Sequence, residues 1–477
     1  MKSVNDSIPE LAKTVTVIGG GVAGMSAACA LADAGFIVRL VERRGYLGGR
    51  ASSYLHPSVG EVIDNCQHVL FGCCTNLQGF YQRIGIAERI HWTSAMTMIE
   101  PGGRRSTLGP SRVGTFSLPA PLHGLPRLLS ASAFTFSDKL ALARAFAAMM
   151  RPIEQNSSEN LGDWLCRHKQ THGAIDRFWR LVIASALNAD IDEIALPYAA
   201  KVIRELFMNS AFAGSMGMST VPLSELYAPV APYLEARGGS VFLNTHVEAA
   251  TREEETSQWT VQTRSCDLLS DFVVIALPFE GMAKLLPSLP PAENAGALAA
   301  QIERHEHWPI CSVHLWFDRE ITELEHAVLL DREIHWMYNQ SLLQRRSGHY
   351  IELVVSATRA FAALPREAAI EQALRELSEF FPRVKEAKLE KFALIKEVRA
   401  TFGVPPGIDT ARPSTESPWP DLFLAGDWVQ TGWPSTMESG ARSGHLAAEA
   451  ICAANGQPRQ ILNADLKPQG LMRMFRG

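Results

Sequence analysis

The sequence predicts an α/β fold in which one domain, built on a parallel sheet, is interrupted by both segments of a second, α+β domain. Three observations lead there. At the N-terminus a strand, a glycine loop, a helix, a second strand and an acid follow in that order. Near the C-terminus another strand runs into Gly426-Asp427 and then a helix. Between them lie two long segments, one mostly helical and one with β-like runs.

The first strand is Thr14–Ile18 (TVTVI), and Gly19–Gly24 (GGGVAG) follows at once. The next stretch, MSAACALADAG, places Met25, Ala28, Leu31 and Ala32 at helical spacing, and Gly35 stands where a helix would end. Phe36–Val41 (FIVRLV) is the second strand and closes on Glu42. Gly19 permits a tight turn, Gly21 lets a pyrophosphate approach the backbone, and Gly24 lets the helix pack on the strand. Val22 and Ala23 open the helix, whose free N–H groups and partial positive charge suit phosphate. Glu42, eighteen residues beyond Gly24, can accept hydrogen bonds from ribose hydroxyls, and an acid there disfavours a 2′-phosphate. The order is that of a Rossmann-type dinucleotide site.

Arg43, Arg44 and then Gly48, Gly49 and Arg50 follow Glu42, and the planar fork of an arginine suits diphosphate oxygens. At the far end, DLFLAGDW and TGWPSTMESGARSG lead from a strand at Leu422–Ala425 into a helix from about Met437. Together these strings resemble the FAD-dependent amine oxidase and phytoene desaturase superfamily. The resemblance implies FAD, with Arg43, Gly49 and Arg50 around the diphosphate and Val247 as a backbone clamp on adenine. It also implies Gly426, Asp427, Ser435 and Met437 along the ribityl chain and flavin. The expected plan is a discontinuous Rossmann-type FAD-binding domain of residues 1–100, 225–295 and 390–477, its parallel sheet covered by helices on both faces. Gly238–Glu255 is read as one strand and Asp271–Pro278 as the next in that sheet. Residues 101–224 and 296–389 then form the substrate domain, a mixed sheet plus helices.

The first insertion carries a helix after Asp138 with Leu142, Phe146, Met149 and Met150 on one face, a second capped by Asn160, and a third near Pro197. Most of these apolar side chains are expected in the core. Phe116–Phe136 is apolar and broken by proline, either a buried loop or a surface that docks on a membrane. The second insertion holds strands at Pro309–Phe317 and His349–Val355 and a helix from Pro365 to Pro382, with Trp308, Trp316 and Trp336 as wall or core residues.

The substrate clue lies at Asp64–Asn76 (DNCQHVLFGCCTN). With SLPAPLHGLPRLL, ALNADIDEIALPYAAKVIRELF and the C-terminal string, it resembles the squalene-associated FAD-dependent enzymes, the hydroxysqualene dehydroxylases of hopanoid pathways. Cys66 stands where much of that family has glycine, the residue that tolerates positive φ. The resemblance implies an apolar isoprenoid substrate, removal of an allylic hydroxyl by reduced flavin, and Gln67 and His68 beside the cofactor. No motif identifies the electron donor. Hydroxide is a poor leaving group, so a proton donor is expected. His68 and Asp64 are the candidates, the first because histidine titrates near neutrality and the second because burial raises a carboxyl. Tyr46 and Glu438 are further ones.

Composition bounds these readings. The chain has 477 residues, 47% of them hydrophobic and 20% charged, enough to bury a large core. A net charge of −5 carries no footprint for nucleic acid. The eight cysteines form no C-x-x-C and no zinc-type grid, so no metal is expected and a reducing cytoplasm suits them, the adjacent Cys73 and Cys74 as buried thiols. MKSVNDSIPELAK has no apolar leader core, and no run reaches the roughly 18–20 apolar residues of a membrane span. The expectation is a cytoplasmic protein, either soluble or lying on the inner leaflet. Three other readings fit the same scaffold: an isoprenoid desaturase, an amine oxidase, and a lipid-escort protein without flavin.

Overall fold

The computed structural model describes residues 12–113, 116–151, 153–154 and 157–475. The leader reading therefore falls outside the described residues. Five parallel strands run in the order Ser240–Phe242, Ile37–Val41, Thr14–Ile18, Phe272–Ile275 and Leu422–Leu424. Their distant origins confirm that the FAD-side sheet is discontinuous. The helix Val22–Asp33 packs against one face, beside the C-terminal helix Met437–Ala454. Gly35, at φ +95°, follows the first helix as expected of a terminating glycine.

The other face differs from expectation. Thr16 and Arg39 are paired neighbours and so point the same way, and both bond to the strand Asp267–Ser270: Thr16 to the Ser270 hydroxyl, Arg39 Nη1 to the Leu269 carbonyl at 2.5 Å. That strand belongs to an antiparallel meander with Val247–Arg252 and Trp259–Thr263, which covers this face in place of a helix. A meander closes most of its own ladder, so it can bridge two parallel strands as a helix does. For the same reason Gly238–Glu255 is two strands, Ser240–Phe242 in the main sheet and Val247–Arg252 in the meander.

A mixed seven-stranded sheet forms the second layer, in the order Leu389–Phe402, His307–Phe317, His349–Val355, Trp336–Asn339, His326–Leu329, Met96–Ile99 and Arg105–Leu108. Only the pair His326–Leu329 and Met96–Ile99 is parallel. Strands 96–99 and 389–402 thus join the substrate-side sheet, although the sequence reading placed both on the cofactor side of the boundaries at 100 and 390. Alternation hides this, since a strand reads alike in either sheet. One face of the sheet packs Met337, Leu353 and Val355 against the helix Arg366–Phe380. Trp336, Tyr338 and Val354 stand on the opposite face, in the main core.

The first insertion is helical as expected. Phe136–Met149 starts with a capping box, in which Thr135 and Asp138 satisfy each other's backbone N–H groups. Asn160 caps Leu161–Arg167, accepting from the Asp163 N–H at 2.8 Å. No described helix is long and apolar enough to cross a membrane. Cys73 and Cys74 are buried and unbridged, and Cys66 needs no left-handed backbone, since it is not among the residues with positive φ.

Candidate active site

One cavity of about 1070 Å³ runs from the glycine loop to the inserted helices. That is at the upper end of the about 300–1,000 Å³ usual for ligand pockets. Of the predicted cofactor residues, Gly19, Gly21, Val22, Ala23, Glu42, Arg43, Gly49 and Arg50 line its first part. Gln67, His68, Val247, Gly426, Asp427, Ser435 and Met437 line it further along. Gly24 does not; a Cβ there would lie 1.9 Å from the Gly19 carbonyl oxygen, so its role is the close packing of helix on loop.

The backbone shapes this end. Gly19 has φ +111°, and a Cβ would come within 2.6 Å of the Ala276 carbonyl oxygen. At Gly21 a Cβ would meet only Gly49 Cα, at 3.9 Å, and otherwise project into the cavity. That open cradle at a helix N-terminus is the place for a pyrophosphate. Glu42 holds the loop: its Oε2 accepts from the Gly20 N–H at 2.7 Å and its Oε1 from the Arg44 N–H at 2.8 Å. A Cβ on Gly444 would lie 2.3 Å from the Ala23 carbonyl oxygen, so glycine lets the C-terminal helix approach the first one closely. Both helix N-termini therefore meet at the cavity, and their dipoles favour anionic groups there.

Arg50 Nη2 donates to Asp427 Oδ1 at 2.5 Å, and the Ser435 hydroxyl donates to Asp427 Oδ2 at 2.5 Å. Burial acts to raise the Asp427 carboxyl, but the Arg50 charge and these bonds outweigh it and leave it below the ordinary value. The Asp427 loop is held from behind by Arg412, whose buried guanidinium donates to the carbonyls of Asp427 at 2.8 Å, Val429 at 2.7 Å and Trp433 at 2.6 Å, and to the Tyr198 hydroxyl at 2.6 Å. Sequence reasoning missed Arg412; its one signal is that it is the only cation between Arg399 and Arg442.

The proton-donor candidates separate. His68 lines the cavity and its Nδ1–H donates to the Cys66 carbonyl at 2.7 Å. Burial lowers its pKa to about 4, the Cys66 bond opposing and the Arg50 charge adding. His68 is therefore neutral at pH 7, with Nε2 an acceptor, not the near-neutral acid expected from sequence. Asp64 is buried and does not line the cavity; its carboxylate accepts from the Ser53 hydroxyl and from the Leu223 N–H at 3.1 Å. Burial raises it to about 6, the direction expected, with Ser53 opposing. Glu438 is fully buried and accepts from the Asn76 and Leu77 N–H groups at 3.1 and 2.9 Å and from Arg442 Nε at 2.8 Å. It caps the helix Thr75–Arg83 and does not reach the cavity; nor does Tyr46, which lies under Arg44.

Beneath His68 lies a polar cluster that the sequence reading also missed. Glu352 accepts from the Gln67 N–H at 2.6 Å, the Ser312 hydroxyl at 2.8 Å and Gln340 Nε2 at 2.7 Å. Gln340 Nε2 also donates to Gln67 Oε1 at 2.6 Å. Burial and then the Asp64 charge push Glu352 up to about 8.

Beyond His68 the cavity turns apolar, walled by Leu142, Phe146 and Met150 of the first insertion, by Phe178 and Phe207, and by Trp336 of the sheet. Leu142 lies in the main core as expected, with Phe146 and Met150 packed against it, and all three also line the cavity.

Residues 22–452 match the model of the flavin containing amine oxidoreductases. The chain belongs to that family. Its cofactor is FAD, and it is a FAD-dependent oxidoreductase. This amine oxidoreductase is 25% identical to the 15-cis-phytoene desaturase of Synechococcus elongatus, over 92% of this chain and 96% of the relative. It is 24% identical to a probable zeta-carotene desaturase of the same organism, over 92% and 98%. Among solved structures it superposes on an oxidoreductase from Methanosarcina mazei with TM-score 0.69 and 16% identity, covering 92% and 100%. Putrescine oxidase follows with TM-score 0.67 and 16% identity, covering 93% and 99%. These structures share the fold.

Proposed function

We propose that this oxidoreductase acts on a long apolar isoprenoid, and that its reaction is the reductive removal of an allylic hydroxyl, hydroxysqualene to squalene. The observation that carries the proposal is a single cavity whose dinucleotide end opens at His68 into an apolar chamber. The Asp64–Asn76 segment that resembles the dehydroxylases supplies the junction wall through Asn65, Cys66, Gln67, His68, Val69 and Phe71. In the net reaction the C–O bond breaks, hydride and a proton are taken up, and water leaves. Bound FAD, once reduced, supplies the hydride. The protein's own groups position and desolvate. Glycines and helix N-termini hold the diphosphate, Arg50 and Asp427 order the middle of the cofactor, and the apolar chamber aligns the polyene and excludes bulk water. His68 Nε2 accepts a hydrogen bond from the reacting hydroxyl or its ordered water.

A second reading has its own support. The named relatives are phytoene and zeta-carotene desaturases, and they favour hydrogen removal from a hydrocarbon more directly than dehydroxylation. A neutral His68 also suits a proton acceptor. The test is an anaerobic incubation of the reduced holoenzyme with hydroxysqualene, scored for squalene, beside oxidised holoenzyme with squalene or phytoene, scored for new double bonds. Squalene in the first and none in the second supports dehydroxylation; the reverse replaces it by desaturation. His68→Ala should keep FAD and lose more than tenfold in turnover.

Exposed Leu129, Phe136 and Leu140 stand on helices whose other residues line the chamber, and Leu122 and Leu125, also exposed, line it themselves. They support the reading that this side meets the cytoplasmic leaflet, from which such a substrate would enter.

A further inference from the structure

Tyr338 has no place in the cofactor site. It sits on the strand Trp336–Asn339, is 5% exposed, and lines the cavity. No described residue takes a hydrogen bond from its hydroxyl. Burial, and next the neighbouring Cys66 and Glu352, hold the phenol protonated well above its ordinary range, so it stands as a fixed O–H donor. The ladder places it. Tyr338 pairs with Glu352 across the sheet, and Glu352 holds the Gln67 N–H at 2.6 Å, so Tyr338 rises beside the Asn65–His68 segment.

That segment offers two further groups without a described protein partner. The carboxamide of Asn65, a cavity-lining residue 8% exposed, makes no hydrogen bond with the described residues, and its Oδ1 is buried. His68 keeps Nε2 free because Nδ1 is committed to the Cys66 carbonyl. A chamber meant for pure hydrocarbon gains nothing from three polar side chains on its wall, because a hydrocarbon covering them would displace their water and return no hydrogen bond.

We propose that Tyr338, Asn65 and His68 form a subsite for one hydroxyl oxygen of an otherwise apolar substrate, the Tyr338 hydroxyl and the Asn65 carboxamide donating to it and His68 Nε2 accepting from it. The subsite deepens the dehydroxylation reading and rests on it for the identity of the alcohol. It makes Tyr338 a specificity residue, separate from the dinucleotide machinery.

The test is equilibrium binding to oxidised, FAD-loaded enzyme without oxygen, read as perturbation of flavin absorbance, with hydroxysqualene and squalene in the same detergent. Wild type should favour the alcohol by about tenfold or more, since one neutral hydrogen bond is worth roughly that factor. Tyr338→Phe removes only the hydroxyl; it should abolish most of the preference while squalene binds as before and the flavin spectrum is unchanged. Asn65→Ala should lower the preference in the same direction, and it carries the test if Tyr338→Phe fails to hold flavin. Equal binding of alcohol and hydrocarbon by wild type, or a preference kept by both variants, overturns the subsite. Conversion of hydroxysqualene by a wild type that shows no preference would sink the subsite alone. A clear, Tyr338-dependent preference with no conversion would sink the dehydroxylation reading alone.

Discussion

The two ends of the cavity are built by different means. The dinucleotide end is a matter of backbone: a φ that glycine tolerates, a carbonyl 1.9 Å from where a Cβ would be, two helix N-termini brought together by Gly444. The apolar end is a matter of side chains drawn from far apart, Phe146 and Phe207 from the first insertion and Trp336 from the second. Backbone constraints allow few residue types, so they leave motifs. An apolar wall accepts many residues of similar volume, so it leaves only composition.

The largest expected effect tests whether backbone packing governs the first end. Gly24→Ala should cost about 3 kcal/mol or more by forcing helix from loop, with loss of bound FAD, measured by denaturant unfolding and flavin absorbance. Gly21→Ala sharpens the contrast. Its Cβ would meet nothing closer than 3.9 Å, so stability of the flavin-free protein should change by less than about 1 kcal/mol, while FAD affinity falls at least tenfold. Similar behaviour of the two variants would break the distinction between packing and cradle glycines. At the apolar end, Phe146→Ala should leave the flavin spectrum intact and raise KM for the isoprenoid several-fold, at a stability cost of about 1–3 kcal/mol because Phe146 is only partly buried. The effect at the junction is read from its pH dependence. The Glu352 carboxyl, raised to about 8 in the folded chain from an ordinary 4.5, contributes stability that is complete below pH 4.5 and lost as pH rises to 8. Glu352→Gln should therefore gain on wild type between pH 5 and pH 9, by about 1.4 kcal/mol for each pH unit up to 8, in unfolding curves taken at both. A pH-independent difference would show that Glu352 is already ionised.

The same contrast explains what could be read from the chain. Gly19, Gly21, Glu42, Arg50 and Asp427 were legible because turn geometry and phosphate chemistry demand those types at those spacings. All five line one cavity. Asp64 and Glu438 misled because a buried carboxylate that caps a helix or turn looks, in sequence, like one that does chemistry. Arg412, Glu352 and Tyr338 were invisible because each acts through partners hundreds of residues away or across a strand register that the sequence does not state. The meander was hidden because Asn244, at φ +52°, is the one turn-forming residue in Leu243–His246, where the chain leaves one sheet for another.

Arg412 has a consequence for how the holoprotein comes into being. One guanidinium grips the carbonyls of the Asp427 loop and the hydroxyl of Tyr198, a residue of the inserted helices. The loop that carries Asp427 is thus riveted to the neighbouring lobe, and neither can melt without stranding a buried cation. Heating should give one cooperative calorimetric transition, with yellow colour and helical signal vanishing together, and the flavin should be acquired while the chain is still assembling rather than traded freely afterwards.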